Sequence, residues 1–327
     1  MILLVSLFCF IYFNSDLFNF YLAPFGMTFF TKDEALNFCS NNLKITATEE
    51  KLSLNPRELL DEIATAMQTL LLFQNIRLLS TFPPSQRHRP TLLEIKCDLL
   101  NGLGGLCYNL NVSVFFLLQS LGYKVSLAHA TCTTSVMFPN NHVVVYVHDV
   151  IRSEDRFLVE VGCGFPTFRA VDLGFETESP VFVDSFLEYK YVKHDGKILR
   201  FHRKGCTVIR SGIKYPETDF YMAEWRRFYT ADTQSTTDLS QFDSCFDCVW
   251  KNDSASPFHT TFRIISFPEK QAVMIVNHKT LIEDKEGELV AAEIVGGDDG
   301  VKKAVNQLFP VIPPTLVEQA WNAHKPA

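Results

Sequence analysis

The chain has 327 residues, of which 47% are hydrophobic and 20% charged, a balance typical of a globular protein with enough sequence for two or three domains. Its formal net charge of −7 argues against a general nucleic-acid-binding protein, because phosphate contacts require clustered Lys and Arg and the sequence contains no such cluster. We therefore expect no nucleic-acid partner.

Residues 1–26 begin with an apolar run from Ile2 to Phe13, long enough for a signal-peptide core but too short to span a bilayer. No Lys or Arg precedes Lys32. Three interpretations stay open: an upstream extension or misassigned start, a membrane-associated segment, or a cleaved signal. Nine cysteines, an odd number, disfavour a secreted form. We expect a cytoplasmic protein, with membrane association only through residues 1–26.

Residues 27–122 are predicted to be mostly helical. Polar residues interrupt the helical spacing of residues 34–72, and a second apolar stripe follows Cys107 until Gly122 ends the helix. The stripe consists of Leu110, Val114, Leu117, Leu118 and Leu121.

Cys107 lies where a glycine-containing loop becomes that helix. In the first helical turn, unpaired backbone N–H groups and the helix dipole stabilise a thiolate, so Cys107 is a candidate nucleophile. Gly104 and Gly105 are expected to let a substrate approach the sulfur. The alternative is a buried core cysteine at a helix start.

Two predicted strands supply a candidate base and its partner. Residues 141–147 have the β-branched and aromatic density of a strand with His142 at its mouth, and residues 156–161 are expected to form a second strand. Neighbouring antiparallel strands would place His142 beside Glu160, which suits a Cys/His/carboxylate triad. A structural strand histidine and a solvent-facing glutamate are the alternatives, and His148 is a weaker candidate base.

From residue 123 to about 233, alternating apolar segments separated by turn residues predict an antiparallel sheet or barrel. Further on, residues 262–265 and 272–276 predict a hairpin, residues 280–290 a strand and residues 301–308 a helix.

The pair Cys245 and Cys248 invites a zinc or redox interpretation, but a structural zinc site needs two more ligands and only His259 lies near in sequence. We expect no metal.

Taken in order, these residues resemble the arylamine N-acetyltransferase family, as a divergent, animal-like member. The family signature runs Arg-Gly-Gly-x-Cys-x-(Glu/Gln)-x-Asn, then a strand-borne His, then Val-Asp-x-Gly-Phe-Gly. The matching residues are Gly104, Gly105, Cys107, Asn111, His142, Val159, Val161, Gly162 and Gly164. Three shorter motifs extend the resemblance over residues 27–327: Phe73-Gln74-Asn75-Ile76, Trp225-Arg226-Arg227-Phe228-Tyr229 and Ser256-Pro257-Phe258.

Several residues depart from the family pattern. Glu160 stands where the family has Asp, and Cys163 where it has Phe, which either enlarges the acceptor pocket or only alters packing. Leu103 and Gln74 replace an Arg and a Glu that resemble a buried pair in the family. Losing both charges together is expected to be nearly neutral, whereas losing one would leave a buried charge. Asn109, which stands where the family has Glu or Gln, is a milder departure from the family pattern.

The resemblance implies an α+β fold with a helical domain (27–122) that carries a papain-like catalytic core, a central antiparallel β-barrel (123–233) and a C-terminal α/β lid (234–327). It implies ping-pong transfer of an acetyl group from acetyl-CoA to an aromatic amine or hydrazine, as in xenobiotic metabolism. The catalytic residues would be Cys107, His142 and Glu160, and Ser256 and Asn140 would contact the coenzyme. The resemblance also implies a monomer. A papain-like hydrolase or transglutaminase, and a coenzyme-A-binding relative with weakened catalysis, stay open as alternatives.

Overall fold

The computed structural model describes residues 29–132, 138–203, 221–254 and 256–324. The apolar run within residues 1–26 lies outside these ranges, so its three interpretations stay open. Within the described ranges, every helix is too short or too polar to cross a bilayer.

Helices dominate the first part of the described chain. Two of them begin in capping boxes, where Thr31 and Thr91 each accept a hydrogen bond from the backbone N–H of a glutamate three residues later. The elements are α1 Lys32–Asn41, α2 Thr48–Leu54, α3 Pro56–Leu70, β1 Phe73–Gln74, α4 Ile76–Ser80, α5 Leu92–Leu100 and α6 Cys107–Leu121. Gly122, with φ +97°, ends α6, as the sequence predicts.

A nine-stranded antiparallel sheet follows, counted over the described residues. Its strands are β2 Lys124–Cys132, β3 His142–His148, β4 Arg156–Val159, β5 Val171–Asp172, β6 Phe182–Asp184, β7 Leu187–His194, β8 Lys197–His202, β9 Tyr221–Met222 and β10 Trp225–Asp232. The strand order is β5-β4-β3-β2-β10-β8-β7-β6, with β9 paired to β10. The sheet packs against α6 through β2 and β3, which brings the start of that helix close to the ends of the strands.

A smaller antiparallel sheet has the order β1-β11-β12-β13-β14. The C-terminal elements are α7 Asp243–Lys251, β11 Arg263–Ser266, β12 Val273–Val276, β13 Lys279–Glu283, β14 Leu289–Glu293, α8 Gly297–Leu308 and α9 Pro314–His324. Because β1 pairs with β11, Phe73 lies opposite Ile265, and the small sheet therefore contains a strand from the helical part of the sequence.

Two details of this region differ from the sequence predictions. The single strand predicted over residues 280–290 is two strands, because the Asp284 side chain accepts hydrogen bonds from the backbone N–H groups of Glu286 and Glu288 and closes a turn. The helix Pro314–His324 was not predicted at all. The hairpin formed by β11 and β12 and the helix around residues 301–308 are confirmed.

Candidate active site

Cys107 is the first residue of α6, and its side chain is buried. The N-cap residue, Leu106, has an apolar side chain that accepts no hydrogen bond from the first turn of the helix. The backbone after β4 packs directly against this turn. A Cβ atom added to Gly162 would lie 2.9 Å from the Cα of Cys107, so only glycine allows this approach.

His142 and Glu160 are brought side by side by two neighbouring strands. His142 opens β3, Glu160 follows the last residue of β4, and the strands are antiparallel with Val145 opposite Val159. The Nε2 atom of His142 lies 2.5 Å from Oε2 of Glu160. Neither side chain is more than 3% exposed, so solvent does not compete for this contact.

The other carboxylate oxygen of Glu160 is also fully engaged. Oε1 accepts hydrogen bonds from Nδ2 of Asn111 (2.8 Å) and from the backbone N–H of Gly162 (2.9 Å). Asn111 in turn accepts from the backbone N–H of Val161 through Oδ1 (3.0 Å). Hydrogen bonds from N–H donors favour the ionised carboxylate, so the surroundings of Glu160 hold it as an anion.

The ionisation of the pair follows from these contacts. Burial, the largest single cause, lowers the pKa of His142, but the Glu160 carboxylate and the neighbouring Cys107 together outweigh burial and raise that pKa. Burial would likewise raise the pKa of Glu160, but the His142 charge and the hydrogen bonds lower it. Both shifts favour the charged forms of the pair, the imidazolium and the carboxylate. With Nε2 engaged by Glu160, Nδ1 is the ring nitrogen left for the Cys107 sulfur.

One supporting residue was missed by the sequence analysis. Gln68, buried on α3, donates from Nε2 to the backbone carbonyl of Glu160 (2.9 Å) and accepts from the backbone N–H of Thr167 (2.7 Å). A buried amide on an otherwise apolar helix face is the signal that could have identified it. Asn111 was matched to the family signature without a role, which the contact to Glu160 now supplies.

The two lost family charges leave a neutral support. Gln74 and Leu103 are both buried, and Nε2 of Gln74 faces the backbone carbonyl of Leu103 at 3.4 Å. Its Oε1 accepts from the backbone N–H of Ile76 at 2.5 Å. No unpaired charge therefore remains at this pair of positions.

The expected role of Gly104 and Gly105 needs correction. A Cβ atom at Gly104 would collide with the backbone of Leu72, and one at Gly105 would lie 2.5 Å from Cγ of Asn109. Protein atoms fill both spaces, so these glycines permit close packing of the loop and do not open a path for substrate.

A small cavity of about 40 Å³ lies beside Cys107 and His142. It is lined by Phe73, Cys107, Cys132, Asn141, His142, Gly162, Cys163, Gly164, Phe165, Phe228, Phe258, Arg263 and Ile265. Cys163 both faces this cavity and packs tightly. Its thiol donates to the carbonyl of Phe165 (3.3 Å), and Nη1 of Arg200 lies 3.4 Å from its sulfur. Burial raises the pKa of the Cys163 thiol to about 12. A larger groove of about 1320 Å³ lies between α2, α3 and residues 150–169, and none of the triad candidates lines it.

The two predicted coenzyme contacts differ in their surroundings. Ser256 is buried, and its hydroxyl has no hydrogen-bond partner among the described residues. An unpaired buried hydroxyl fits a residue that binds a ligand. Asn140 is exposed, adopts a left-handed backbone (φ +58°) and lies two residues before His142, with its backbone N–H donating to Thr131.

The remaining candidates lie outside this constellation. His148, at the far end of β3, contacts the hydroxyl of Ser126 at 2.7 Å. His259 contacts Arg87 through Nδ1 and the carbonyl of Val249 through Nε2. No cluster of His, Cys, Asp and Glu side chains in the described part of the chain has the arrangement of a metal site.

With this geometry in place, the sequence and the fold were compared with known proteins. A family model described as N-acetyltransferase matches residues 97–312, two thirds of the chain. The chain belongs to the arylamine N-acetyltransferase family. No curated protein sequence matches it in the sequence comparison.

Solved arylamine N-acetyltransferases share the fold. The Mycobacterium marinum enzyme, solved in complex with CoA, is 17% identical with a TM-score of 0.66, and the match covers 88% of this chain and 98% of that one. The M. tuberculosis enzyme is 16% identical with a TM-score of 0.65, and the match covers 87% of this chain and 99% of that one. The Salmonella typhimurium enzyme is 15% identical with a TM-score of 0.64, and the match covers 88% of this chain and 98% of that one. Family and fold together indicate an N-acetyltransferase, and they confirm the predicted α+β fold class.

Proposed function

We propose that this arylamine N-acetyltransferase family member transfers an acetyl group from acetyl-CoA to an aromatic amine or hydrazine by a ping-pong mechanism. The observation that carries the proposal is the buried His142, which contacts the Glu160 carboxylate and lines the same small cavity as Cys107. A nucleophile, a base and a group that orients the base are the components required for covalent catalysis.

In the first half-reaction, the Cys107 thiolate attacks the carbonyl carbon of the acetyl-CoA thioester. The bond from this carbon to the CoA sulfur breaks, and the CoA thiol leaves with a proton from His142. Backbone N–H groups at the start of α6 are the proposed donors to the oxyanion, because no side chain caps them. Ser256 and Asn140 are proposed to contact the coenzyme.

In the second half-reaction, the acceptor nitrogen attacks the acetyl-Cys107 carbonyl. His142 removes the proton from this nitrogen, and Glu160 stabilises the resulting imidazolium and fixes the ring tautomer. Cys107 leaves as the thiolate, which restores the starting state. The M. marinum arylamine N-acetyltransferase, solved in complex with CoA, supports the choice of donor.

The proposal is tested by incubating the protein with acetyl-CoA and measuring its intact mass, with Cys107→Ala as the matched control. We expect a gain of one acetyl group that is discharged by an aromatic amine and is absent from the variant. A protein that binds CoA without becoming acetylated would instead be a coenzyme-binding relative. Peptide hydrolysis without CoA would indicate a papain-like hydrolase.

A further inference from the structure

Arg263, the first residue of β11, is a buried cation that has no anionic partner in the described part of the chain. It is 8% exposed, and its Nε atom is buried with no hydrogen-bond partner among the described residues. Among the described residues, the Arg263 side chain donates no hydrogen bond and forms no ion pair with a carboxylate, while its backbone N–H donates to Asn75. Its side chain lines the same small cavity as Cys107 and His142.

Other buried arginines have contacts through their guanidinium groups. Arg87, which is equally buried and also has an unpaired Nε, contacts Nδ1 of His259 through Nη1 at 2.7 Å. The buried Arg200 donates hydrogen bonds to His202, Thr167 and the carbonyl of Pro166, and Tyr189 packs on it at 4.5 Å. Arg77 is paired with the buried Asp98. Burial lowers the pKa of Arg263 to about 10, which still leaves it charged at neutral pH. A buried charge without a partner destabilises the fold unless a ligand of opposite charge binds to it.

We infer that Arg263 binds a carboxylate carried by the small substrate that reacts at Cys107. This inference rests on the proposed function and adds a substrate class to it. Guanidinium binds carboxylate through two parallel N–H···O contacts, which gives both affinity and orientation. Phosphate groups of the coenzyme do not fit this role, because the whole pantetheine arm separates them from the thioester that must reach Cys107.

The backbone around Arg263 is fixed relative to the nucleophile. Oδ1 of Asn75 accepts from the backbone N–H of Arg263 (2.9 Å), and Nδ2 of Asn75 donates to the carbonyls of Phe258 (2.7 Å) and Thr261 (2.5 Å). Asn75 follows β1, which also hydrogen-bonds the loop before Cys107 through Gly105. Arg263 is therefore held by a rigid support, as a specificity-determining residue requires.

The carboxylate has two possible carriers, the acceptor amine or the acyl group of the donor. An aminobenzoate represents the first, and a dicarboxylic thioester such as succinyl-CoA represents the second. Both place an anion close to the reacting carbonyl, so Arg263 would serve either one.

The anion site is tested first without acyl transfer, by alkylating Cys107 with iodoacetate and with neutral iodoacetamide. Mass spectrometry gives the ratio of the two rates, with Cys248 as an internal reference. We expect Arg263→Met to lower the iodoacetate-to-iodoacetamide ratio at Cys107 by about tenfold or more, and Arg263→Lys to retain much of it. An unchanged ratio in correctly folded Arg263→Met would overturn the inference.

Turnover then identifies the carrier. One arm compares 4-aminobenzoate with its methyl ester as acceptors of acetyl-CoA, and the other compares succinyl-CoA with acetyl-CoA as donors to a neutral aniline. We expect wild type to prefer the carboxylate in one arm by about tenfold in kcat/KM, and Arg263→Met to lose that preference. If the enzyme transfers acyl groups but prefers the carboxylate substrate in neither arm, the inference about Arg263 is wrong and the proposed function stands. If no acyl transfer occurs but the alkylation ratio changes as expected, Arg263 forms an anion site and the proposed function is wrong.

Discussion

Oε2 of Glu160 lies 2.5 Å from Nε2 of His142, although Glu160 is one methylene longer than the Asp that the family signature has at this position. The added length is accommodated because Asn111 and the backbone N–H of Gly162 hold the other oxygen of the carboxylate. The departure from the signature therefore leaves a contact that orients the imidazole.

The fit of Glu160 is tested by shortening it. Glu160→Asp is expected to slow acetylation of Cys107 by about 10- to 100-fold, because the shorter carboxylate cannot keep both His142 and Asn111 in contact. Single-turnover acetylation with acetyl-CoA measures this rate. A rate equal to wild type would show that the strand adjusts to either residue.

Glu160→Gln is the matched control for charge. It keeps the length of the side chain but presents an amide to His142, which no longer stabilises the imidazolium. We expect a larger loss, about 10³- to 10⁴-fold. A Gln variant faster than the Asp variant would mean that position outweighs charge at this site.

The raised pKa of His142 predicts a pH dependence of stability. Because this pKa is higher in the folded state than the ordinary 6.5, the contribution of His142 is fully present below pH 6.5 and is lost as the pH rises toward about 10. For Glu160, whose folded pKa is lowered, the contribution is present above pH 4.5 and is lost on acidification. The pair should therefore stabilise the fold most between pH 4.5 and pH 6.5.

Urea unfolding measures this, with Glu160→Gln as the comparison and Cys107→Ala in both proteins to remove the thiol titration. The difference in unfolding free energy between the two proteins should shrink as the pH rises above 6.5. A difference that stays constant over that range would show that His142 is not held protonated by Glu160.

Much of this site could be predicted because it depends on local sequence. A thiol at a glycine-to-helix junction and a histidine at a strand mouth are visible from composition and spacing alone, and adjacent antiparallel strands place His142 beside Glu160. The prediction of one strand over residues 280–290 was wrong because the Asp284 turn interrupts an otherwise strand-like segment.

Long-range contacts could not be predicted in the same way. Gln68 supports Glu160 across 92 residues, and Asn75 holds Arg263 across 188 residues. No periodicity connects such pairs, since they meet only when β1 joins β11 and α3 packs beneath the site. The absence of a partner for Arg263 among the described residues is likewise a property of packing, which the sequence alone does not reveal.

Removing the Asn75 amide is expected to loosen the segment that carries Phe258 and Arg263. Asn75→Ala leaves two carbonyls and one backbone N–H without their partner, so we expect a loss of at least about 2 kcal/mol in unfolding free energy. Thr260→Ala, which removes only a 3.5 Å contact in the same loop, is the control and should change stability little. Equal effects of the two variants would contradict a special role for Asn75.

Arg263, a buried cation with no anion among the described residues, should lower the stability of the protein. Replacing this unpaired charge by a residue of similar length, Arg263→Met, is expected to raise the unfolding free energy by about 1–4 kcal/mol. Arg77→Met is the contrasting variant, because it leaves the buried Asp98 unpaired and should be destabilising. Thermal and urea unfolding measure both, and a destabilised Arg263→Met protein would mean that the guanidinium has a structural partner.

Gly162 controls the distance between the triad candidates more directly than any side chain. In Gly162→Ala, the new Cβ would lie 2.9 Å from Cα and 3.0 Å from the carbonyl oxygen of Cys107, so the start of α6 must move away from Glu160. A displacement near 1 Å at reacting groups lowers rates by about 100-fold, and we expect a loss of that order in acetylation of Cys107. Gly174→Ala is the control, because its Cβ would meet only the side chain of Asp172. If Gly162→Ala reacts as fast as Gly174→Ala, the close approach of β4 to α6 is not needed for the chemistry, and the triad tolerates more movement than its buried contacts suggest.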